Sequence, residues 1–370
     1  MKYFKDYNFE QSHDGEDVLL IYHKEDNDGV FSGALLYDYF IYSSGIKSHQ
    51  IYLLGTNYNE LTVLSKTYSA QILHNHFRYI IMTDISFNDE KYMKSLYKEF
   101  GNHFIWCDHH APIIEASRKL NFSDAIGVRD TSRSAILCVW KWLYDPFDES
   151  YNKRKVPELL RILSAWDSWS FEHQKLDSEY CRKINKAVTY QYNLDFENVL
   201  DLIHVLHHEY NGLPGDYNPK KHIKELLKIG TLLCDYEDRT FEDLLKNIGD
   251  LDWKIITDNK TYTDSHGTWG PSFRSACAIF HQGQTNSKMF NSLRKTHPDI
   301  MNAIVFKHNP NSNWAVTIYN IRECDEKDWP GRFHCGKFMK EHYKGGGHIG
   351  AAGCTITQDQ FIKILKKKEL

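Results

Sequence analysis

The chain has 370 residues, of which 41% are hydrophobic and 25% charged, with a formal net charge of −4 at pH 7. That length exceeds one ordinary compact domain and supports a sizeable core, and the composition excludes fibrous and disordered classes. The mildly acidic balance argues against a protein that grips long duplex nucleic acid, which needs a basic surplus, but it accommodates small nucleotides in a locally charged cleft.

The N-terminal segment MKYFKDYNFEQ is polar, and no stretch approaches 18 apolar residues, so a soluble cytoplasmic protein with no membrane partner is expected. The eight cysteines form no C-x-x-C pair and suggest neither a disulfide framework nor a structural zinc site. Residues 18–23, VLLIYH, are a short apolar run closed by the polar turn KEDNDG. The following VFSGALLYDYF has helical spacing of its apolar positions. Further runs appear at IYLLG (51–55), YIIMTD (79–84) and FIWCDHH (104–110). Between the last two, NDEKYMKSLYKEFG reads as a helix capped from within Ser86–Asn88.

Short apolar strands separated by helix-length connections predict an α/β fold whose N-terminal domain has a largely parallel sheet with flanking helices. Residues 131–144 and the segment VPELLRILSAWDSW read as core helices, and 150 to about 250 looks mainly helical, with NGLPGDYNPK as a linker. From about 260 the pattern changes: RSACAIFHQG, MNAIVFKHN and WAVTIYN read as strands, with a tight turn at 309–313 and a closing helix in QDQFIKILKK. The expected organisation is a first domain over 1–190, a helical connector or insertion over 191–255, and a smaller mixed α/β domain over 256–370.

Asp26, Asp28, Asp84 and Asp108 each fall at or just beyond the C-terminal end of a predicted strand, the side on which open α/β sheets bind ligands. Four carboxylates gathered at one sheet edge repel one another unless cations sit between them. His23 lies in the same turn as Asp26 and Asp28, and Gly29 permits a close backbone approach there. Imidazole and carboxylate donors suit Mn²⁺ or Mg²⁺, whereas a thiolate set is absent. Taken alone, D-x-D-G is also a common acidic turn, and Asp108-His109-His110 also reads as a helix cap followed by surface histidines. The third motif, GGGHIGAAG at 345–353, has successive glycines whose N–H groups can approach an anion, small residues able to start a closely packed helix, and His348 facing a bound phosphate. It is not a P-loop, because no lysine and hydroxyl residue follow at the required positions.

Together these motifs resemble the DHH phosphoesterase family, in its branch with a C-terminal DHHA1 domain, whose members include nano-RNase, pAp-phosphatase and RecJ-like proteins. HKEDNDG looks like the first motif, Asp84 like the lone aspartate of the second, Asp108-His109-His110 like the third and Asp167 in SAWDSW like the fourth. GGGHIGAAG resembles the substrate-binding signature of the C-terminal domain. The resemblance implies a metal-dependent phosphoesterase with two divalent ions, Mn²⁺ first and Mg²⁺ as the alternative. One ion would be held by His23, Asp26 and Asp84, and the other by Asp28, Asp84, His109 and Asp167. Asp108 would be a ligand or an orienting group, and His110 would lie close to the scissile phosphate. Gly346, Gly347, His348 and Arg274 are the candidates for substrate contact.

The partner expected is a small nucleotide or a short single-stranded oligonucleotide. Hydrolysis of inorganic pyrophosphate or polyphosphate is the first rival, and GGGHIGAAG argues against it, since the related pyrophosphatase branch has a different C-terminal domain. A non-catalytic nucleotide-binding module is the second, and the complete ligand set argues against it, because unpaired carboxylates are costly. A homodimer is compatible on general grounds, with no interface specified. His204, His207 and His208 read as surface or packing residues, Trp166 and Trp169 as core, and Cys107 as buried packing.

Overall fold

In a sheet covered on both sides, every residue of a central strand is buried, so the strand reads as an unbroken apolar run. Val18–His23 forms such a strand in the computed structural model, which describes residues 1–10, 16–144, 156–210, 217–247, 250–258, 262–264, 267–269, 272–282, 285, 287–290, 293, 296–310, 313–321, 333–347 and 350–370. The chain divides into two compact units, Met1–Cys234 and Asp235–Leu370.

The first unit contains β1 (Lys2–Tyr3), β2 (Val18–His23), α1 (Asn27–Tyr42), β3 (Ile51–Thr56), α2 (Tyr58–Thr67), α3 (Ala70–His74), β4 (Tyr79–Thr83), α4 (Glu90–Phe100), β5 (Phe104–Cys107) and α5 (Ala111–Leu120). Helices α6 (Ala135–Tyr144), α7 (Glu158–Ser168), α8 (Phe171–Gln174), α9 (Ser178–Tyr192), α10 (Phe196–Tyr210) and α11 (Pro219–Asn247) follow, the last carrying the chain across the division. The strand order is β1-β3-β2-β4-β5, and every neighbouring pair is parallel. Val18, Leu20, Tyr22, Ile81 and Ile105 join one core with residues of α1, α6, α7, α9 and α10. Leu19, Ile21, Ile80, Met82, Phe104 and Trp106 join a second core with residues of α2 to α5. The alternation along β2 therefore feeds two cores, one on each face of the sheet. Phe196, Val199 and Leu202, within the expected connector, belong to the first of them.

One local expectation is corrected. The cap of α4 is Asp89, whose Oδ1 accepts from the Lys91 and Tyr92 amides at 2.9 and 3.2 Å, rather than a residue within Ser86–Asn88. Ile85 and Phe87 are buried in the second core, which holds that earlier stretch outside the helix.

The second unit contains β6 (Asp250–Asp258), β7 (Tyr262–Asp264), β8 (Gly267–Trp269), β9 (Ser272–Phe280), β10 (Asn302–His308), β11 (Trp314–Asn320), α12 (Cys335–Tyr343), β12 (Gly346–Gly347), β13 (Ala351–Ile356) and α13 (Gln358–Lys367). Its main sheet has the order β12-β13-β11-β10-β9-β6 and is mixed, with β9 and β10 parallel and the other neighbours antiparallel. Around the expected turn, Asn309 N donates to the Asn313 carbonyl at 2.8 Å; residues 311 and 312 lie outside the described set, as do 211–216 of the expected linker. The glycine motif is the second correction. Ala351, Ala352 and Gly353 begin strand β13, paired to β11 and β12, rather than a helix. The glycines serve close strand approach: Gly347 has φ +142°, and a Cβ there would collide with the Ala352 backbone. Among the described residues, no helix is long and apolar enough to cross a membrane.

Candidate metal centre

Because the strands of the first sheet run parallel, the segments leaving β2, β3, β4 and β5 all emerge at one rim. The β2 exit carries His23 and then Asp26, which caps α1 by accepting from the Gly29 amide at 2.9 Å. A side chain on Gly29 would collide with the His23 carbonyl, so glycine lets the start of α1 close against the end of β2. Asp28, in the first turn of α1, is held by the far end of another element. Its Oδ2 accepts from Ala135 N at 2.7 Å and its Oδ1 from Ile136 N at 2.9 Å. The N-terminus of α6 thus points its free amides and positive dipole end at this carboxylate.

Asp84 directly follows β4 with φ 57°, an uncommon conformation for a residue with a side chain, and its amide donates to the Cys107 carbonyl at 3.1 Å. Its two oxygens face different histidines. Oδ2 lies 3.5 Å from His23 Nδ1, and Oδ1 lies 3.2 Å from His109 Nε2. His23 Nδ1 also lies 2.8 Å from Asp26 Oδ2, and His109 Nε2 lies 3.7 Å from Asp28 Oδ2 and 3.4 Å from Asp167 Oδ2. Two ligand groups result, His23–Asp26–Asp84 and Asp28–His109–Asp167, each with its donor atoms within 4.8 Å of one another. Asp84, His109 and His110 form a third such group that overlaps both.

Asp108 stands apart from these groups. It is fully buried, and its Oδ1 accepts from the amides of His109 (2.7 Å) and His110 (3.1 Å) and faces His110 Nδ1 at 2.7 Å. Its Oδ2 accepts from Trp106 Nε1 at 3.0 Å. With both oxygens engaged, Asp108 orients His110. Arg129 braces the strand beneath by donating to the Trp106 carbonyl at 2.8 Å and the Ala125 carbonyl at 2.6 Å.

The electrostatics mark where positive charge is wanted. Burial, with the Asp167 and Asp84 charges, pushes the Asp28 carboxyl well above the usual carboxylate range. Burial likewise raises Asp167 to about 7, with the Asp84 and Asp26 charges adding to it. Burial alone would raise Asp84 too, but hydrogen bonding to His109 and His23 holds it well below its ordinary value. For His23 burial disfavours the imidazolium, yet Asp26 and Asp84 outweigh it and raise the group to about 10. His110 is raised as well, the charge of Asp108 overcoming burial. Asp167 Oδ2 is buried and accepts no hydrogen bond among the described residues. An orphaned carboxylate oxygen beside two repelled carboxyls and two imidazoles fits hard divalent cations, which need oxygen and nitrogen donors and neutralise that repulsion.

Gly346 and Gly347 are exposed in β12, and His348 lies outside the described residues. Arg274, in β9, donates from Nε to Asn302 Oδ1 at 2.7 Å and lies over the Phe333 ring. His204 Nδ1 pairs with Asp38 Oδ1 at 3.2 Å, while the side chains of His207 and His208 lie outside the described set. Cys107 is fully buried and its thiol is pushed up to about 12 by that burial, which removes it as a nucleophile. Trp166 packs against the first core, but Trp169 is exposed rather than core, because it caps α7 in a left-handed conformation that takes it off the buried helix face.

Sequence reasoning missed Tyr58, the first residue of α2. Its ring centroid lies 6.0 Å from that of His23 and 6.2 Å from that of His110. Burial, followed by the charges of Asp108, Asp84 and Asp26, raises its phenol above the ordinary tyrosine range. It sits just past the end of β3, so the strand-end rule that found the aspartates applies to it equally.

No family model matches the chain, and no curated protein matches it. Among solved structures, an uncharacterized protein from Helicobacter pylori G27 is similar at 15% identity and a TM-score of 0.38, covering 95% of this chain and 99% of that one. A pGpG-specific phosphodiesterase from Vibrio cholerae is similar at 15% identity and 0.42, covering 95% and 97%. The exonuclease RecJ bound to manganese is similar at 11% identity and 0.41, covering 97% and 91%.

Proposed function

We propose that the chain is a two-metal phosphoesterase acting on small nucleotides or short single-stranded oligonucleotides. The observation that carries this reading is Asp84, which turns one oxygen toward the His23 group and the other toward the His109 group. His23, Asp26 and Asp84 would hold one ion, and Asp28, Asp84, His109 and Asp167 the other, with Mn²⁺ or Mg²⁺ suited to such donors. When bound, a pair of such ions lowers the pKa of water and neutralises charge on a phosphoryl group. Asp108 fixes His110 and favours its imidazolium, so His110 presents a proton donor to the phosphoryl group or its leaving oxygen. The α6 amides hold Asp28 in place without drawing on a side chain. Gly346, Gly347, His348 and Arg274 are proposed to contact the rest of the substrate.

The test is chromatography of products after metal-stripped protein is reloaded with Mn²⁺ and offered a panel of substrates. The panel holds a short RNA, a linear dinucleotide, 3'-phosphoadenosine 5'-phosphate, pyrophosphate and a longer DNA strand, with Asp84→Asn alongside. The expected result is Mn²⁺-dependent release of mononucleotide or phosphate from the small nucleotides, reduced at least about 100-fold in the variant. Turnover of pyrophosphate alone would replace the nucleotide reading with an inorganic one, and turnover of nothing despite confirmed ion binding would reject the phosphoesterase.

A further inference from the structure

We infer that Tyr58 touches the substrate, its phenol donating a hydrogen bond to a phosphoryl oxygen of the bound ester; this rests on the phosphoesterase reading above. Tyr58 is set between two histidines that belong to different parts of the centre, His23 of one ligand group and His110 beside Asp108. Its ring stands perpendicular to that of His110 (88°) and tilted to that of His23 (52°), so it meets both without lying flat on either. Its hydroxyl has no hydrogen-bond partner among the described residues. The hydroxyl is not sealed off from solvent, so a phosphoryl oxygen entering the centre can reach it and replace water as its partner.

The turn that carries Tyr58 is fastened to the metal loop on several sides. Asn57 caps α2 by accepting from the Asn59 and Glu60 amides at 3.1 and 3.0 Å, and its Nδ2 donates to Glu25 Oε1 at 2.9 Å. The Lys24 amide donates to the Thr56 carbonyl at 3.1 Å, and Lys24 Nζ lies 2.6 Å from Glu60 Oε1. Tyr58 therefore keeps its place relative to His23 as a fixed part of the rim. Lys24, in the same rim, is paired to Glu60, and in the segment after α5 Arg133 is paired to Asp130 and Arg129 to main-chain carbonyls. Within the first unit, a phosphoryl oxygen that faces away from the ions would have His110 and Tyr58 as donors beside the ligand groups. An unperturbed phenol ionises near pH 10, so at neutral pH Tyr58 offers a proton and no charge.

The experiment compares Tyr58→Phe with the wild-type full chain, both loaded with Mn²⁺. It measures kcat and KM on the substrate found by the panel, Mn²⁺ stoichiometry and affinity by calorimetry, and binding of inorganic phosphate to the Mn²⁺-loaded protein. Phenylalanine keeps the ring and deletes only the hydroxyl, so folding is preserved. The expected result is a kcat lower by about 10- to 100-fold and phosphate binding weaker by severalfold, with Mn²⁺ affinity within about twofold of wild type. A variant with wild-type kcat and wild-type phosphate binding overturns the inference. So does one whose Mn²⁺ affinity falls in parallel with kcat, since Tyr58 would then only support the ligands. If the wild type turns over nothing, the phosphoesterase reading fails by itself, and the phosphate-binding comparison still decides whether Tyr58 contacts a phosphoryl oxygen.

Discussion

Replacing Asp108 by asparagine keeps the shape of the side chain and removes its charge. In the native protein Oδ1 serves the amides of His109 and His110 and faces His110 Nδ1, while Oδ2 serves Trp106 Nε1. An amide has one oxygen, so whichever way it turns, its NH₂ group meets a donor in a site with no exposure to water. The least damaging orientation leaves Trp106 Nε1 unpaired and weakens the remaining charge-assisted bonds, a cost of about 3 kcal/mol. For a unit of this size that corresponds to a melting temperature lower by roughly 6–12 °C. His110 also loses the charge that favours its imidazolium, so kcat is expected to fall by about 10²- to 10⁴-fold. Mn²⁺ affinity is expected to stay within about tenfold, since Asp108 belongs to no ligand group. Thermal unfolding, initial rates and calorimetric Mn²⁺ titration read the three quantities separately. Native kcat in a destabilised variant would refute the argument that Asp108 acts through His110, and abolished Mn²⁺ binding would make it a ligand instead.

Metal binding is expected to release protons, because His23 without an ion holds its proton up to about 10 and Asp167 up to about 7. Both folded values lie above their unfolded ones, so the metal-free protein loses stability as pH rises from about 4 through 7 for Asp167, and from about 6.5 through 10 for His23. The rise in melting temperature produced by Mn²⁺ should accordingly be larger at pH 8 than at pH 6, and Mn²⁺ binding heats should depend on the ionisation enthalpy of the buffer; buffer-independent heats contradict this. In the second unit, Gly347→Ala forces a side chain onto a positive φ and against the Ala352 backbone. It is expected to destabilise the β12–β13 pairing by about 2–3 kcal/mol, seen as faster hydrogen exchange in Ala351–Ile356.

The strands and the acidic rim were legible because the mostly apolar runs of β4 and β5 are followed at once by an aspartate, as Thr83 gives way to Asp84 and Cys107 to Asp108. A parallel sheet then brings those ends together without further information. What could not be read is what holds them. The amides of Ala135 and Ile136 that fix Asp28 belong to residues whose side chains say nothing about that role. Asn27, which donates to Asn185 Oδ1 at 2.8 Å and Thr189 Oγ1 at 2.8 Å, looks in sequence like one more turn residue between two aspartates. The glycine motif misled for a related reason: small residues permit a close approach in either a helix or a strand, and only the partners, here β11 and β12, decide which. Trp169 misled because an aromatic residue at a left-handed helix end departs from the usual glycine there.

The candidate ligands come from four places far apart along the chain: the end of β2 with the start of α1, the residue after β4, the histidine after β5 and the last turn of α7. The Asp28–His109–Asp167 group is not complete until α1 has met the end of β5 and α7 has docked, whereas the His23–Asp26–Asp84 group needs only β2 beside β4, and loop-closure entropy makes contacts so distant along the chain late ones. A cation captured across both groups would fasten an already assembled molecule and would not seed its assembly. Its hold acts on the rate at which the finished sheet comes apart, and an incompletely folded chain offers it no comparable grip.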